Sequence, residues 1–503
     1  MKMLLAREDH TSPSRTGVIV GLVLAGILCC LEQYAARISF WQDEAFQVLN
    51  VMEQGYGQLA SSLGRNQTAP PLFIMGVKAC GQYLGHSEYS LRLIPLINGI
   101  AAMIVFAIVA VRSLTPRAAC LAVALMAMGP KLIEHATEVK QYSGDVLAAA
   151  VLWLAASSLF GWRLNSQMPA SSGDTLRQNT FRLLLFSLLA GVTFWYSEVQ
   201  CFIFVGMALA VLPRFAVHRA RGWLSFCAAC LPGIISFLLL YLLSVRYQQN
   251  NNLIAYWIDE KGLPDYARWW MLPVWLVMSL VRLCNYFSNP LGPIVLVFAI
   301  AGVRALWSKR DQHETLRAVF LPAALTLMAA LALRYPFGGS RATMFLVPSL
   351  ILLCSVGFAY LQDHLPRLAS AAAIAACLLV GSNIVQAAYH LAVPRSVSHP
   401  RPAIEYVRTH RTPGQGIWVP HGGSWDSFLC YWHETDSLIW GPGKTPIVGS
   451  ARQFWLVVEF APDQGLAKRQ PQRDQAAQYG KPIDQFVGTG GAAFLYQCPS
   501  AAE

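Results

Sequence analysis

Three short polar stretches of this chain combine carboxylates, cations and aromatic rings at spacings suited to group transfer. The first is Trp41-Gln42-Asp43-Glu44-Ala45, directly after the first long apolar run. A carboxylate there can act as general base toward a hydroxyl. Each would be unfavourable by roughly 2.5–3.5 kcal/mol at the dry centre of a spanning helix, so the pair is expected to face a wet cavity. A solvated loop or an interfacial anchor would present the same acidic pair. The second stretch is Glu138-Val139-Lys140-Gln141-Tyr142-Ser143-Gly144-Asp145. Asp145 falls in the first turn of a helix, where the backbone dipole favours negative charge, so a capping role competes with a chemical one. Lys140 can meet a phosphate or pair with Glu138 or Asp145. The third is Arg334-Tyr335-Pro336-Phe337-Gly338-Gly339-Ser340-Arg341. Its proline and glycines predict a tight loop whose backbone can approach a ligand. Arg341 suits bidentate phosphate recognition, and it can equally snorkel to lipid headgroups.

The elements that must position these residues lie in lipid. Only 13% of the 503 residues are charged, against about 25% in soluble domains, and mean hydropathy is +0.42. Runs such as Gly17 to Leu31, Ile94 to Val111 and Ala369 to Ala388 approach or reach the roughly 20 residues of a spanning helix. The net charge of +11 does not point to nucleic acid, because the basic residues are scattered over short loops. They occur at Lys2 to Arg15, Arg112 to Arg117, Arg163 to Arg182, Arg214 to Arg221, Arg304 to Arg317, and Arg367. If all are cytoplasmic, helical hairpins must join them. About eleven spans satisfy this: 17–36, 92–111, 118–134, 142–161, 182–195, 198–213, 223–243, 290–307, 318–333, 342–360 and 369–390. The first run is expected to remain as a helix and not be cleaved as a signal peptide. With the N-terminus in the cytoplasm, an odd count puts the C-terminus outside. Stretches 69–84 and 269–287 break the alternation and are expected along the outer surface, with Lys78 and Gln82 sharing one face of the former.

The expected architecture is therefore an all-α polytopic membrane domain over residues 1–393, with outer-face loops 37–91 and 246–289, followed by a small α/β extracytoplasmic domain over 394–503. In the latter, His399 to His410 and Ser424 to His433 read as helices, and Gly416 to Pro420, Phe454 to Phe460 and Ala492 to Tyr496 as strands. It shows no phosphate-binding glycine loop, and a packing or acceptor-docking module is expected. Most of the twelve cysteines lie in apolar runs as small hydrophobes. Cys227 and Cys230 lack the second pair that a structural zinc site needs, whereas Cys430 and Cys498 could form a disulfide in an oxidising compartment.

Taken in order, Asp43-Glu44, Ala69-Pro70-Pro71-Leu72, Ser87-Glu88-Tyr89-Ser90-Leu91-Arg92-Leu93, the Lys140 to Asp145 stretch and the Tyr335 to Arg341 loop resemble the GT-C membrane glycosyltransferases. The resemblance is to the dolichyl-phosphate-mannose protein mannosyltransferase-like group that includes the aminoarabinose lipid A transferases, and it covers roughly residues 15–360. It implies about 11–13 transmembrane helices, a polyprenyl-phosphate sugar donor and a hydroxyl acceptor on protein, lipid or glycan. The reaction is expected at the outer face of a bacterial inner membrane, by a monomer. By position, Asp43 resembles the catalytic carboxylate, Glu44 its neighbour and Asp145 the acidic residue heading the fourth helix. Arg341 resembles a phosphate binder, a role that Lys140, Arg65 and Arg246 could share. Trp41, Glu138, Tyr142 and Tyr335 would line the cavity. Thr68-Ala69 stands where the aminoarabinose transferases carry an acidic-basic pair, a departure that counts against an aminoarabinose donor and leaves the donor sugar open. No metal ligands are assigned; some GT-C enzymes use a divalent cation, and the resemblance leaves metal dependence open. A transporter, flippase or polymerase of lipid-linked glycans is the alternative, but the chain shows no internal repeat of the kind transporters carry. A structural scaffold would not require acidic pairs and cationic loops on one membrane side.

Overall fold

The computed structural model describes residues 13–164, 175–248, 251–434, 436–446 and 451–498. Lys2, Arg7 and the middle of the 163–182 basic cluster lie outside the described residues. The chain forms two compact units. One takes residues up to Gln33, Tyr56–Gly76 and Leu93–Ala392; the other takes Tyr34–Gly55, Val77–Arg92 and Val393 onward. The polar C-terminal stretch thus folds together with segments 34–55 and 77–92.

The helices of the first half are α1 (Pro13–Ala35), α2 (Gln42–Glu53), α3 (Tyr56–Ser61), α4 (Pro71–Leu84), α5 (Glu88–Ser113), α6 (Pro116–Met128), α7 (Pro130–His135), α8 (Tyr142–Phe160), α9 (Leu176–Phe194), α10 (Gln200–Ala216) and α11 (Arg219–Leu240). Then come α12 (Asn251–Asp259), α13 (Leu272–Asn285), α14 (Gly292–Trp307), α15 (His313–Leu331), α16 (Val347–His364) and α17 (Pro366–Ala392). Among the described residues eight helical stretches are long and apolar enough to cross a membrane: Arg15–Ala35, Glu88–Ser113, Tyr142–Phe160, Arg219–Gln248, Tyr266–Asn285, Arg310–Leu331, Arg341–His364 and Pro366–Ala392. Helices α6, α10 and α14 are shorter apolar ones. In lipid their packing depends on close backbone approach, which small residues permit. A Cβ on Gly357 of α16 would lie 1.8 Å from the Phe298 carbonyl of α14, and one on Gly302 of α14 would lie 2.2 Å from the Leu353 carbonyl.

The elements differ from the sequence expectation at definable places. The span read over 118–134 breaks between α6 and α7, where Gly129 is extended and Pro130 opens the next helix. Proline disfavours helical geometry in the residue before it. Lys78 is not offered to water or headgroups: it is buried and donates to the Val51 carbonyl at 2.8 Å, while Gln82 is exposed. The stretch expected to lie along the surface at 269–287 gains a 3-10 turn, Tyr266–Met271, ahead of α13, which brings it to 20 residues. Helix α9 is not among the eight spans.

The C-terminal part carries α18 (Arg401–His410), β1 (Gly416–Trp418), α19 (Gly422–Tyr431), β2 (Ile439–Trp440), β3 (Gln453–Glu459), α20 (Gln470–Ala477), β4 (Lys481–Val487) and β5 (Gly491–Gln497). The sheet order is β2-β1-β3-β5-β4, with β1 parallel to β2 and β3 and the remaining pairs antiparallel. Phe454-Trp455-Leu456-Val457-Val458 is apolar at every position because both sheet faces are covered. Phe454, Leu456 and Val458 pack with Trp418, Tyr496 and Ala476 of α20, and Trp455 and Val457 pack with Ile404 of α18 and Phe428 of α19. The Cys430–Cys498 disulfide does not form. Both thiols are buried and in no disulfide; Cys498 belongs to the first of these clusters, and the Cys430 thiol points to the Ala45 carbonyl at 3.7 Å.

Candidate active site

Trp41, Asp43 and Glu44 belong to the unit that holds the C-terminal sheet, and the remaining candidates belong to the other. Trp41 is the extended residue that caps α2, and Asp43 and Glu44 both fall in the first helical turn. There the unpaired N–H groups and the helix dipole favour a negative side chain. The two carboxylates differ sharply in environment. Glu44 is fully buried and takes two bonds from Arg92, Nε to Oε1 at 2.9 Å and Nη2 to Oε2 at 2.6 Å. Asp43 is only half-buried. Arg92 also binds the carbonyls of Ile38 and Ser39 at 2.6 and 3.2 Å and lies over the Phe40 ring. One turn earlier on α5, buried Glu88 receives Arg37 at 3.1 Å, Arg401 at 2.6 Å and the Tyr431 hydroxyl at 3.0 Å.

Nearby in this unit, Glu459 ends β3 in a buried position. Burial pushes its carboxyl up to about 7, opposed by the Ser398 hydroxyl, Arg469 and the Gln42 backbone N–H. His399 is pushed down to about 4, first by burial and then by Arg401. Sequence reasoning missed Glu88, Arg92, His399, Tyr431 and Glu459 as site residues. The signal for the first two was their four-residue separation, which puts both on one helix face at a membrane boundary.

In the other unit, Asp145 is buried in the first turn of α8. Its Oδ1 accepts the Ser197 hydroxyl at 2.6 Å, and Gln200 Nε2 donates to its backbone carbonyl at 2.9 Å and to Ser197 Oγ at 2.8 Å. Beside it stands Glu198, which sequence reasoning passed over although it sits in the polar turn between α9 and α10. Burial raises the Glu198 carboxyl to about 7, and its Oε2 is enclosed with no hydrogen-bond partner. Tyr335 donates its hydroxyl to the Ala342 carbonyl at 2.7 Å. Burial, followed by the charges of Asp145 and Glu198, holds that phenol well above its ordinary range.

A second cluster joins this one through Tyr142. Glu138 binds His135 Nδ1 at 2.7 Å, and His135 Nε2 meets the Tyr286 hydroxyl at 2.6 Å. The His135 ring packs edge-on against Tyr142, and the Arg341 guanidinium lies 5.9 Å from the Tyr142 ring centroid. Lys140 is buried and donates to Gln67 Oε1 at 2.6 Å. Gln67 in turn reaches the Arg65 carbonyl at 3.4 Å, while Arg246 is exposed against the Tyr247 ring. The glycines of the 334–341 loop serve packing, not ligand approach. A Cβ on Gly338 would lie 2.8 Å from Ser279 Cβ, and one on Gly339 would lie 2.1 Å from the Arg282 carbonyl.

The chemistry on offer is a half-buried carboxylate at a helix start, two carboxyls, Glu198 and Glu459, that burial raises to about 7, and cations on two loops. Among the described residues no three His, Cys, Asp or Glu side chains converge as metal ligands.

This is a polytopic α-helical membrane protein with a C-terminal α/β domain, and its fold is the GT-C fold of a solved structure that it matches over 96% of its length. No protein-family model matches the chain, and no curated protein matches it by sequence. Solved structures do match. The oligosaccharyltransferase AglB of Archaeoglobus fulgidus, in complex with an inhibitory peptide and a dolichol-phosphate, aligns over 96% of this chain and 74% of its own, with 10% identity and a TM-score of 0.50. ArnT from Cupriavidus metallidurans aligns over 96% of this chain and 98% of its own, with 13% identity. Its TM-score is 0.49 in the apo state and 0.48 bound to undecaprenyl phosphate.

Proposed function

We propose that this protein is a glycosyltransferase that moves a sugar from a polyprenyl-phosphate donor to a hydroxyl acceptor at the outer face of a bacterial inner membrane. The observation that carries the reading is the fold shared with AglB, an oligosaccharyltransferase whose structure holds a dolichol-phosphate. Asp43 adds to it: a half-buried carboxylate in the first turn of α2, eight residues after α1 ends.

In this reading Asp43 accepts the proton of the acceptor hydroxyl. The acceptor oxygen bonds to the anomeric carbon as the bond from that carbon to the phosphate oxygen breaks, its electron pair leaving with the polyprenyl phosphate. The anomeric centre is inverted. A phosphate leaves without a strong general acid, so stabilisation falls to cations, for which Arg341 and Lys140 are the candidates, with Arg65 and Arg246 in reserve. Glu44, whose oxygens are both engaged by Arg92, orients the helix start. Asp145 and Glu198 belong to the acceptor or donor pocket with Tyr142, Glu138 and Tyr335. The N-terminus lies in the cytoplasm and the C-terminal domain outside.

The test is a panel of labelled polyprenyl-phosphate sugars presented with hydroxyl acceptors to purified protein in nanodiscs. Release of free polyprenyl phosphate in step with labelled product is expected for at least one donor. Release from none would contradict the reading.

A further inference from the structure

The turn that leads into α2, Arg37 to Trp41, is neither helix nor strand, yet the Ile38 carbonyl, both backbone groups of Ser39 and the Phe40 N–H are engaged by side chains distant in sequence. The Ser39 backbone N–H donates to His399 Nδ1 at 3.0 Å, and Ser39 Oγ lies 2.6 Å from the same nitrogen. Because Nδ1 accepts the backbone donor, it carries no proton, so the Ser39 hydroxyl must donate to it as well. The free lone pairs of that hydroxyl then accept the Arg401 backbone N–H at 3.0 Å. This arrangement requires the neutral ring protonated at Nε2, and the low pKa of His399, about 4, keeps the ring neutral at physiological pH. The next residue is held in the same way. The Phe40 N–H donates to the Tyr431 hydroxyl at 2.7 Å, that hydroxyl donates to Glu88 at 3.0 Å, and the Phe40 and Tyr431 rings stack at 5.8 Å. Arg92 takes the carbonyls of residues 38 and 39. Beyond the turn, α19 closes on α2 so tightly that a Cβ on Gly423 would meet the Gln42 side chain at 2.5 Å.

We propose that the C-terminal domain sets the position of Asp43, with His399 and Tyr431 as positioning residues that fix Ser39 and Phe40 and thereby the first turn of α2. The proposal rests on Asp43 being the base. It gives the soluble domain a role in the reaction step that does not require it to bind acceptor. Without these two holds, the backbone N–H groups of Ser39 and Phe40 lose their side-chain acceptors, which loosens the entry to the first turn of α2, and small displacements of a reacting group are enough to slow a reaction severely.

The variants Tyr431→Phe, which keeps the ring stack but removes the phenol, and His399→Ala, which removes the acceptor, are compared with His399→Asn, whose side-chain carbonyl can take the place of Nδ1. Two readouts are used in nanodiscs: kcat and donor KM for sugar transfer, and hydrogen–deuterium exchange of the peptide covering 38–46. Exchange reports the hold whether or not sugar is transferred. In Tyr431→Phe and His399→Ala, exchange is expected to accelerate and kcat to fall by about tenfold or more at unchanged donor KM. His399→Asn should return both toward wild type. Unchanged exchange, a loss confined to KM, wild-type kcat despite faster exchange, or an Asn variant no better than Ala would each overturn the proposal. If exchange behaves as expected but Asp43→Asn transfers sugar as well as wild type, the failure lies in the assignment of the base and not in the hold on the turn.

Discussion

Asp43 and Glu44 are neighbours of the same chemical type, and nothing local in the sequence separates their roles. The separation comes from Arg92, 48 residues on, which occupies both oxygens of Glu44. A buried ion pair of this kind stabilises little relative to an apolar replacement, but breaking it leaves a charge stranded, at about 3–5 kcal/mol. Arg92→Ala is therefore expected to lower the thermal midpoint substantially, and Arg92→Ala with Glu44→Gln together should recover part of the loss. A single variant as stable as wild type in a melting experiment would contradict this. Glu459 gives a second residue-scale expectation. Its folded pKa of about 7 lies above the ordinary value of 4.5, so the folded state binds its proton more tightly than the unfolded state does. Its contribution is fully present below pH 4.5 and is lost as pH rises to about 7, which is a destabilisation with rising pH. Glu459→Gln removes that loss. Its stability relative to wild type, followed by denaturation from pH 5 to pH 8, should rise with pH; a difference independent of pH would show that the carboxyl titrates normally.

Helices in lipid gain little from hydrophobic contact with each other, so their pairing depends on how closely backbones can meet. Gly302 and Gly357 put α14 and α16 in such contact. Gly357→Ala would force its Cβ against a backbone carbonyl, which cannot rotate away. A loss of about 1–3 kcal/mol, in the usual range for overpacking, should appear as earlier unfolding and poorer recovery from detergent. The existence of these spans was legible from apolar length alone. Their interruptions were less so: Pro130 splits one expected span, and a 3-10 turn lengthens another. Lys78 reads as a polar face on a surface helix because its partner is a carbonyl, Val51, that no side-chain pattern reveals. The glycines after Tyr335 likewise read as ligand approach because the helix they pack against, α13, lies some fifty residues earlier in the chain.

At the scale of the whole molecule, the basic loops predict a cytoplasmic N-terminus and an external C-terminal domain. Alkaline phosphatase fused after the C-terminal domain should be active in a bacterial host, and a fluorescent protein fused there should stay dark; the opposite pair of results would invert the topology. The sequence marks the soluble domain by its change of composition, and its buried strand at 454–460 was readable from an unbroken apolar run. That residues 34–55 and 77–92 fold with it was not readable, because the contacts, to backbone at Ser39 and Phe40 and to a side chain at Glu88, run across hundreds of residues. This joining puts Asp43 in the same unit as the sheet. The central claim, that Asp43 carries the reaction, is tested most directly by comparing wild type and Asp43→Asn in nanodiscs, with donor binding and sugar transfer measured on the same samples. A loss of transfer of about 10²–10⁴-fold with donor affinity retained is the expected result, and equal transfer by the two proteins would contradict it.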